Sequence, residues 1–361
     1  MMKNTDNPSF SIEGKKIGLD NPTYFIADIA ANHDGELSRA KDLIYLAAEK
    51  GADAAKFQHF KADTIVSDYG FKNLGNENSH QKKWKKSVYD VYKAASINLE
   101  WTTELHETCK KANIAFFTSP YSNELLEHID PYVDAHKIGS GDITWIEIIE
   151  NISKKNKPVI LASGASKIED VERAVNKILS INKNLCLMQC NTNYTGSLEN
   201  FKFINLNVIK TFKQMFPNVV MGLSDHTPGH STVLGAITLG ARVIEKHLTD
   251  RNDREGPDHG FSMNGETWKE MVDSSRELEY SLGDSIKKIE ENEEASIIVQ
   301  RRSICASRDI LSGELISKDM IKALRPCPAD AIPPYETDKL INRELIKDIS
   351  KGDHIRWEYL K

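Results

Sequence analysis

Apolar and polar positions follow two rhythms along this chain. Short apolar runs of four to six residues, at 24–28, 54–57, 115–118, 135–138, 159–162, 185–189, 219–223 and 242–247, read as strands. Apolar positions recur every three or four residues at 37–50, 99–112, 122–129, 146–155, 168–180, 208–216, 231–239 and 267–282, which is the period of a helix. Eight strands, each followed by a helix within about 260 residues, predict an α/β fold, a closed parallel (β/α)8 TIM barrel. An open doubly wound sheet is the competing architecture. Two features favour closure. The stretch after the first strand, Ala30-Ala31-Asn32-His33-Asp34-Gly35, lacks the glycine fingerprint of dinucleotide folds. Polar residues also gather at the C-terminal ends of nearly all eight strands, as a single barrel rim requires. Ahead of the first strand, 9–17 reads as a hairpin turning at Glu13-Gly14, placed to plug the bottom of the barrel.

After residue 282 the pattern changes. The charged stretch 284–294 reads as an interdomain linker, assigned to 284–295, which bounds the barrel domain at 1–283. Short segments around 301–306, 311–314, 321–326 and 351–354 then suggest a small, mostly β module over 296–361. A module of that size has a small core of its own, so docking against a barrel, its own or a partner's, is expected to help hold it. Within the barrel, the connection 61–87 is long and polar, as lids and substrate walls tend to be. Its run Gln81-Lys82-Lys83-Trp84-Lys85-Lys86 reads as a solvated helix start, because no aromatic and basic stripe continues it.

Charge and composition narrow the classes. A formal net charge of -6 argues against a general surface for nucleic acid or anionic membrane. The N-terminus has no apolar core of the kind a signal peptide needs, and no uncharged apolar run approaches a membrane span. A cytoplasmic protein is expected. The five cysteines, Cys109, Cys186, Cys190, Cys305 and Cys327, are odd in number and scattered, which fits reduced thiols.

The strand ends carry the candidate chemistry. In order they offer Asp28; Lys56 and Gln58; Thr118 with Ser119; Lys137, Ser140 and Asp142; Ser163; Thr192 and Tyr194; Ser224 and His226; Glu245 and His247. Alternation puts Ser224 with His226 on one face, and Glu245 with His247 on one face. If the two strands are parallel neighbours, both imidazoles reach one rim and can clamp one divalent metal; the other reading is two satisfied structural histidines. Lys56 and Lys137 each sit in an apolar strand. A lysine facing a barrel mouth needs an anion beside it. Each could instead point outward to solvent. Facing inward with Ser140 and Ser163, the pair makes a cradle for a phosphate and a carboxylate on one small ligand.

Taken together, these motifs resemble the sialic acid synthase family. The likeness rests on Asn32-His33-Asp34-Gly35, Lys56-Phe57-Gln58, Thr118-Ser119-Pro120, Lys137-Ile138-Gly139-Ser140-Gly141, Gly222-Leu223-Ser224-Asp225-His226, Glu245-Lys246-His247 and Gly256-Pro257-Asp258, in that order. It continues into the C-terminal module, which is similar to the family's antifreeze-like (SAF) domain through Leu324-Arg325-Pro326.

The resemblance implies an enzyme that condenses phosphoenolpyruvate with an N-acetylated amino sugar, N-acetylmannosamine or a 2,4-diacetamido-2,4,6-trideoxyhexose, releasing phosphate for cell-surface glycan synthesis. It implies His226 and His247 as ligands of Mn2+, with Mg2+ or Co2+ as alternatives. It places Lys56, Thr118, Lys137, Ser140, Ser163 and Ser224 about phosphoenolpyruvate. Asp28, Gln58, Asp142, Tyr194 and Asp258 would face the sugar; Asp28 or Asp142 would handle proton transfer, Asp142 or Asp258 would assist ring opening, and Glu245, on the strand face of His247, would orient a metal-bound water or serve an outer structural role. Arg325 would reach the opposite subunit's site in a homodimer whose SAF domain covers the partner barrel. Asp28 and Asp142 stand where the family carries glutamate, and Thr192 where it carries asparagine, which leaves the exact sugar open. Two other readings remain: a different phosphoenolpyruvate-dependent aldose synthase, which would need a second basic cluster, and a non-catalytic carbohydrate-binding protein.

Overall fold

The computed structural model describes residues 7–74, 84 and 86–361, which fall into two compact units, residues 1–283 and 284–361. Unit one opens with an antiparallel hairpin, β1 (Ser9–Ile12) and β2 (Lys15–Gly18). Glu13 and Gly14 both take positive φ at its turn. Eight parallel strands follow: β3 (Tyr24–Asp28), β4 (Ala54–His59), β5 (Ala115–Pro120), β6 (His136–Ile138), β7 (Val159–Ala162), β8 (Leu185–Cys190), β9 (Val220–Asp225) and β10 (Ala241–His247). Hydrogen-bonded ladders run β5-β4-β3-β10-β9-β8-β7-β6, and β5 and β6 lie side by side to complete the ring. This is the barrel that the strand and helix count predicts.

Alternation within each strand separates two cores. Phe25, Ala27, Phe57, Phe116, Leu161, Leu187, Leu223 and Ile244 point outward and pack with the helices. Tyr24, Ile26, Ala54, Ala115, Phe117, Ile160, Met188, Val220 and Val243 point inward and fill the lumen. Phe10, Ile12 and Ile17 of the hairpin belong to the inner set, so the hairpin does stopper the N-terminal end of the barrel. Above that apolar floor the inward positions turn polar, and the site is built there.

Two stretches differ from the sequence reading. The connection 61–87, read only as long and polar, holds helices Ala62–Ile65 and Asp68–Asn73 and leads into helix Val88–Ala95, the last two capped by Ser67 and Ser87. Of the run 81–86, residues 81–83 and 85 lie outside the described residues. The stretch read as a linker belongs to unit two and leads into helix Glu294–Gln300. Beyond that helix, unit two is held by a ladder of β11 (Ser303–Ala306) and β12 (Ile321–Leu324), isolated bridges and short turns. These surround a core that includes Ile304, Ile310, Ile316, Ile332, Leu345 and Ile355.

Candidate active site

The polar layer of the lumen starts with charge. Lys56 and Lys137 both point inward and are almost fully buried, as are Asp28 and Glu245. Lys56 Nζ donates to Asp28 Oδ2 at 2.5 Å and lies 3.8 Å from Glu245 Oε1. Lys137 Nζ donates to the same Glu245 oxygen at 3.0 Å. Each buried ammonium thus has the anion it requires, supplied by the protein itself. Burial works against the charge on Lys56, but Asp28 and Glu245 outweigh it and hold its pKa above the usual lysine value. Gln58 Nε2 lies 3.4 Å from Asp28 Oδ2 on the rim side of this cluster.

The two imidazoles come next. His226, one residue past β9, and His247, the last residue of β10, have ring centroids 5.4 Å apart at 52°. With metal–nitrogen bonds near 2.1 Å, two imidazoles that share an ion have centroids about 4.5–6 Å apart. Their protonation also suits an ion. Burial lowers the pKa of both rings, that of His247 far below the ordinary value, so both are neutral at neutral pH. His226 Nδ1 donates to the Asn191 carbonyl at 2.8 Å, which leaves Nε2 as the lone-pair nitrogen. His247 Nε2 stands 3.5 Å from Asp28 Oδ2, and its Nδ1 is buried without a partner. Among the described residues no group of three or more His, Cys, Asp or Glu side chains is arranged to hold a metal ion. What the pair offers is two neutral imidazoles close together, each with a ring nitrogen able to act as a lone-pair donor. Tyr194 and Phe261 pack edge-on to these rings, at 4.4 Å from His226 and 4.8 Å from His247.

Behind the histidines, facing the helices, lies a second buried ion pair. Asp225 and Lys246 are cross-strand partners in register, 2.6 Å apart and at most 1% exposed. Thr227 and Thr232 hydroxyls donate to the same Asp225 oxygen at 2.7 and 2.8 Å. Burial pushes the Asp225 carboxyl up, but Lys246 and the two threonines more than offset it and hold the pKa low. Sequence reading named the residues on either side and passed over these two. The signal was there: with Ser224, His226, Glu245 and His247 inward, Asp225 and Lys246 must share the other face with opposite charges.

Beyond the strand ends the lumen opens into a cavity of about 400 Å3. Gln58, Ser140, Asp142, Tyr194, His247 and Asp258 line one part of it. Phe60, Ile65, Val91, Tyr92 and Ala95 form an apolar wall, most of it from the helices after β4. Asp142 belongs to the turn Ser140–Asp142, and burial raises its pKa to about 6. Asp258 also rises to about 6, through burial above all, although Ala31 N–H donates to it at 3.1 Å. Its loop is pinned by the Asn32-His33-Asp34-Gly35 stretch: Asp34 bonds His259 Nε2 at 2.9 Å, and Asn32 donates to Leu248 O and Ser262 Oγ.

The other residues singled out from sequence take these places. Thr118 faces the helix layer, where His59 Nδ1 lies 2.7 Å from its hydroxyl. The inward place belongs to Ser119, whose buried Oγ has no partner. Ser163 Oγ donates to Met188 O at 2.8 Å. Ser140 Oγ accepts from Gly164 N at 2.9 Å, and a Cβ on Gly164 would stand 2.6 Å from Thr192 Cγ2, so Ser140, Gly164 and Thr192 meet in one tight corner. Ser224 Oγ lies 3.5 Å from Glu245 Oε1. Arg325 is an exposed residue of unit two.

A parallel barrel with charged and imidazole side chains converging at the strand C-termini is the arrangement of a barrel enzyme. Residues 43–287 match the NeuB family, and residues 301–361 match the SAF domain. The chain belongs to the NeuB family, the sialic acid synthase family of enzymes, and carries a C-terminal SAF domain. It is 32% identical to the N,N'-diacetyllegionaminic acid synthase of Campylobacter jejuni over 344 residues, covering 92% of this chain and 99% of the relative. It is also 32% identical to the pseudaminic acid synthase of that organism, over 93% of this chain and 96% of the relative. The crystal structure of the N-acetylneuraminic acid synthetase of Leptospira borgpetersenii superposes with a TM-score of 0.69 at 26% identity, covering 81% of this chain and 95% of that one.

Proposed function

We propose that this protein condenses phosphoenolpyruvate with an N-acetylated amino sugar and releases inorganic phosphate, in the cytoplasm and for the synthesis of cell-surface glycan. What carries the reading is the convergence of two neutral imidazoles, 5.4 Å apart, on a lumen that also holds Lys56 and Lys137. His226 and His247 would hold a divalent cation, Mn2+ in the first instance and Mg2+ or Co2+ otherwise, which when bound polarises the sugar's aldehyde carbonyl.

The chain's own groups account for the rest. Lys56 and Lys137, with Ser119, Ser140 and Ser224, grip the phosphate and carboxylate of the enol substrate; Asp28 and Glu245 balance the lysines until that anion arrives. Carbon 3 of the enol bonds to the aldehyde carbon, and water adds at carbon 2. Carbon–oxygen cleavage then releases phosphate. Asp142 and Asp258, with pKa values of about 6, are protonated in part near neutral pH and can give a proton to the aldehyde oxygen. Asp28 or Glu245 can take the proton from the adding water.

On the sugar, the apolar wall of Phe60, Ile65, Val91 and Ala95 favours methyl groups over hydroxyls. A 2,4-diacetamido-2,4,6-trideoxyhexose presents three methyl groups, N-acetylmannosamine one. Phosphate release with phosphoenolpyruvate, Mn2+ and a panel of amino sugars tests this. Release with the diacetamido sugars above all is the expected result; no release with any N-acetylated sugar would remove the assignment.

A further inference from the structure

We propose that the buried Asp225–Lys246 pair is a positioning device that sets the spacing of His226 and His247. The inference rests on the reading of those two histidines as metal ligands. Each member of the pair is the chain neighbour of one imidazole, and the two are register partners across β9 and β10. Lys246 Nζ donates to Asp225 Oδ2 and to the Thr227 carbonyl, both at 2.6 Å. The residues on both sides of His226 are therefore tied to the residue preceding His247. Thr232, in the first turn of helix Ser231–Thr238, extends the clamp to that helix by donating to Asp225 at 2.8 Å.

The energetics favour a positioning role over a stabilising one. Burying two charges between strand and helix costs desolvation that their attraction only partly returns, and well-packed apolar residues of similar volume are often as stable. What apolar residues lack is direction. Charged hydrogen bonds at 2.6 Å fix how far the two strand ends stand apart and how they are turned; methyl contacts tolerate sliding. His247 has the greater need. Its Nδ1 has no hydrogen-bond partner, so its ring is placed by its backbone, by packing on Phe261 and by the Asp28 carboxylate 3.5 Å from Nε2. His226 has the Asn191 carbonyl as well.

The test compares the metal-stripped full-length wild-type protein with the double variant Asp225→Leu/Lys246→Met, titrated with Mn2+ alone and read by electron paramagnetic resonance of the free ion, with thermal melting measured alongside. Removing groups that orient metal ligands costs affinity about 10–100-fold. The expected result is a Kd raised by that factor while the melting temperature stays close to wild type. Wild-type Mn2+ affinity in a folded double variant would overturn the inference and leave the metal reading standing. Absence of Mn2+ binding by the wild-type protein would sink the metal reading, and this inference with it. Should the double variant fail to fold, Thr232→Val removes one bond to Asp225 and keeps the charges. A Kd raised about 3-fold or more would then support the proposal, and an unchanged one would overturn it.

Discussion

Asp142 and Asp258 face one cavity and carry the same perturbation. In each, burial penalises the anion and lifts the pKa from 3.8 to about 6. The sign of the linkage follows: the folded state binds a proton that the unfolded state has already lost, so stability falls as pH rises from about 4 to 6 and stays reduced above. Asp142→Asn removes that penalty. It is expected to raise the melting temperature at pH 8, on the order of 2–4 °C, and to leave it unchanged at pH 4; a gain of equal size at both pH values would show that the carboxyl's charge is not responsible. At this scale the sequence was legible where alternation could be anchored. Ser224 with His226 and Glu245 with His247 fell on the inner face as expected, because the apolar residues before them fix the phase. Thr118 was misjudged since β5 runs on to Pro120, and the inner places of Ala115 and Phe117 hand the next one to Ser119. Ser163 lies just past β7, where strand alternation no longer governs and a buried hydroxyl takes the nearest carbonyl.

Elements of the barrel were readable because each must bury one face, and burial leaves a period in the sequence. The hairpin stopper and all eight strands were found, with ends shifted by a residue or two. The helix Val88–Ala95 was not. It is a short helix with no fully buried residue, which follows a polar stretch and lends its apolar side to the cavity wall, so no core-facing stripe announced it. Glycines mark where backbones pass close. A Cβ on Gly222 would stand 2.8 Å from the Val243 carbonyl and 3.0 Å from Cys186 Sγ and Met188 Cγ, inside the lumen just below the charged layer. Gly222→Ala is expected to cost about 1–3 kcal/mol in denaturant unfolding; an unchanged midpoint would mean that β9 and β10 can separate freely there.

For the whole molecule, two units and two family matches agree on a barrel followed by a SAF domain. Segment spacing could say only that the second unit is small and mostly β, since its core of ten aliphatic side chains is spread over short segments with no long period. The homodimer that the family resemblance implies, in which Arg325 would reach the opposite barrel, makes a prediction about mixing. His226→Ala and Arg325→Ala proteins should each be nearly inactive. Unfolded and refolded together, they would form hybrid dimers with one intact site, and roughly a quarter of wild-type activity should return. No recovery, with hybrid dimers demonstrated by tag pull-down, would place Arg325 in its own subunit's chemistry or outside it.

The hairpin that stoppers the N-terminal end makes the barrel a vessel that opens at the strand C-termini. Lys56 and Lys137 lie nearer its floor, while Asp142 and Asp258 stand at the threshold. Whatever seats itself on the lysines must enter before the threshold is occupied, and a guest at the threshold locks in the one beneath. Initial-rate kinetics should therefore show compulsory order, with phosphoenolpyruvate first and the sugar second. Isotope trapping of preloaded phosphoenolpyruvate should approach completeness as the sugar concentration rises; free escape at saturating sugar would mean the vessel has a second exit.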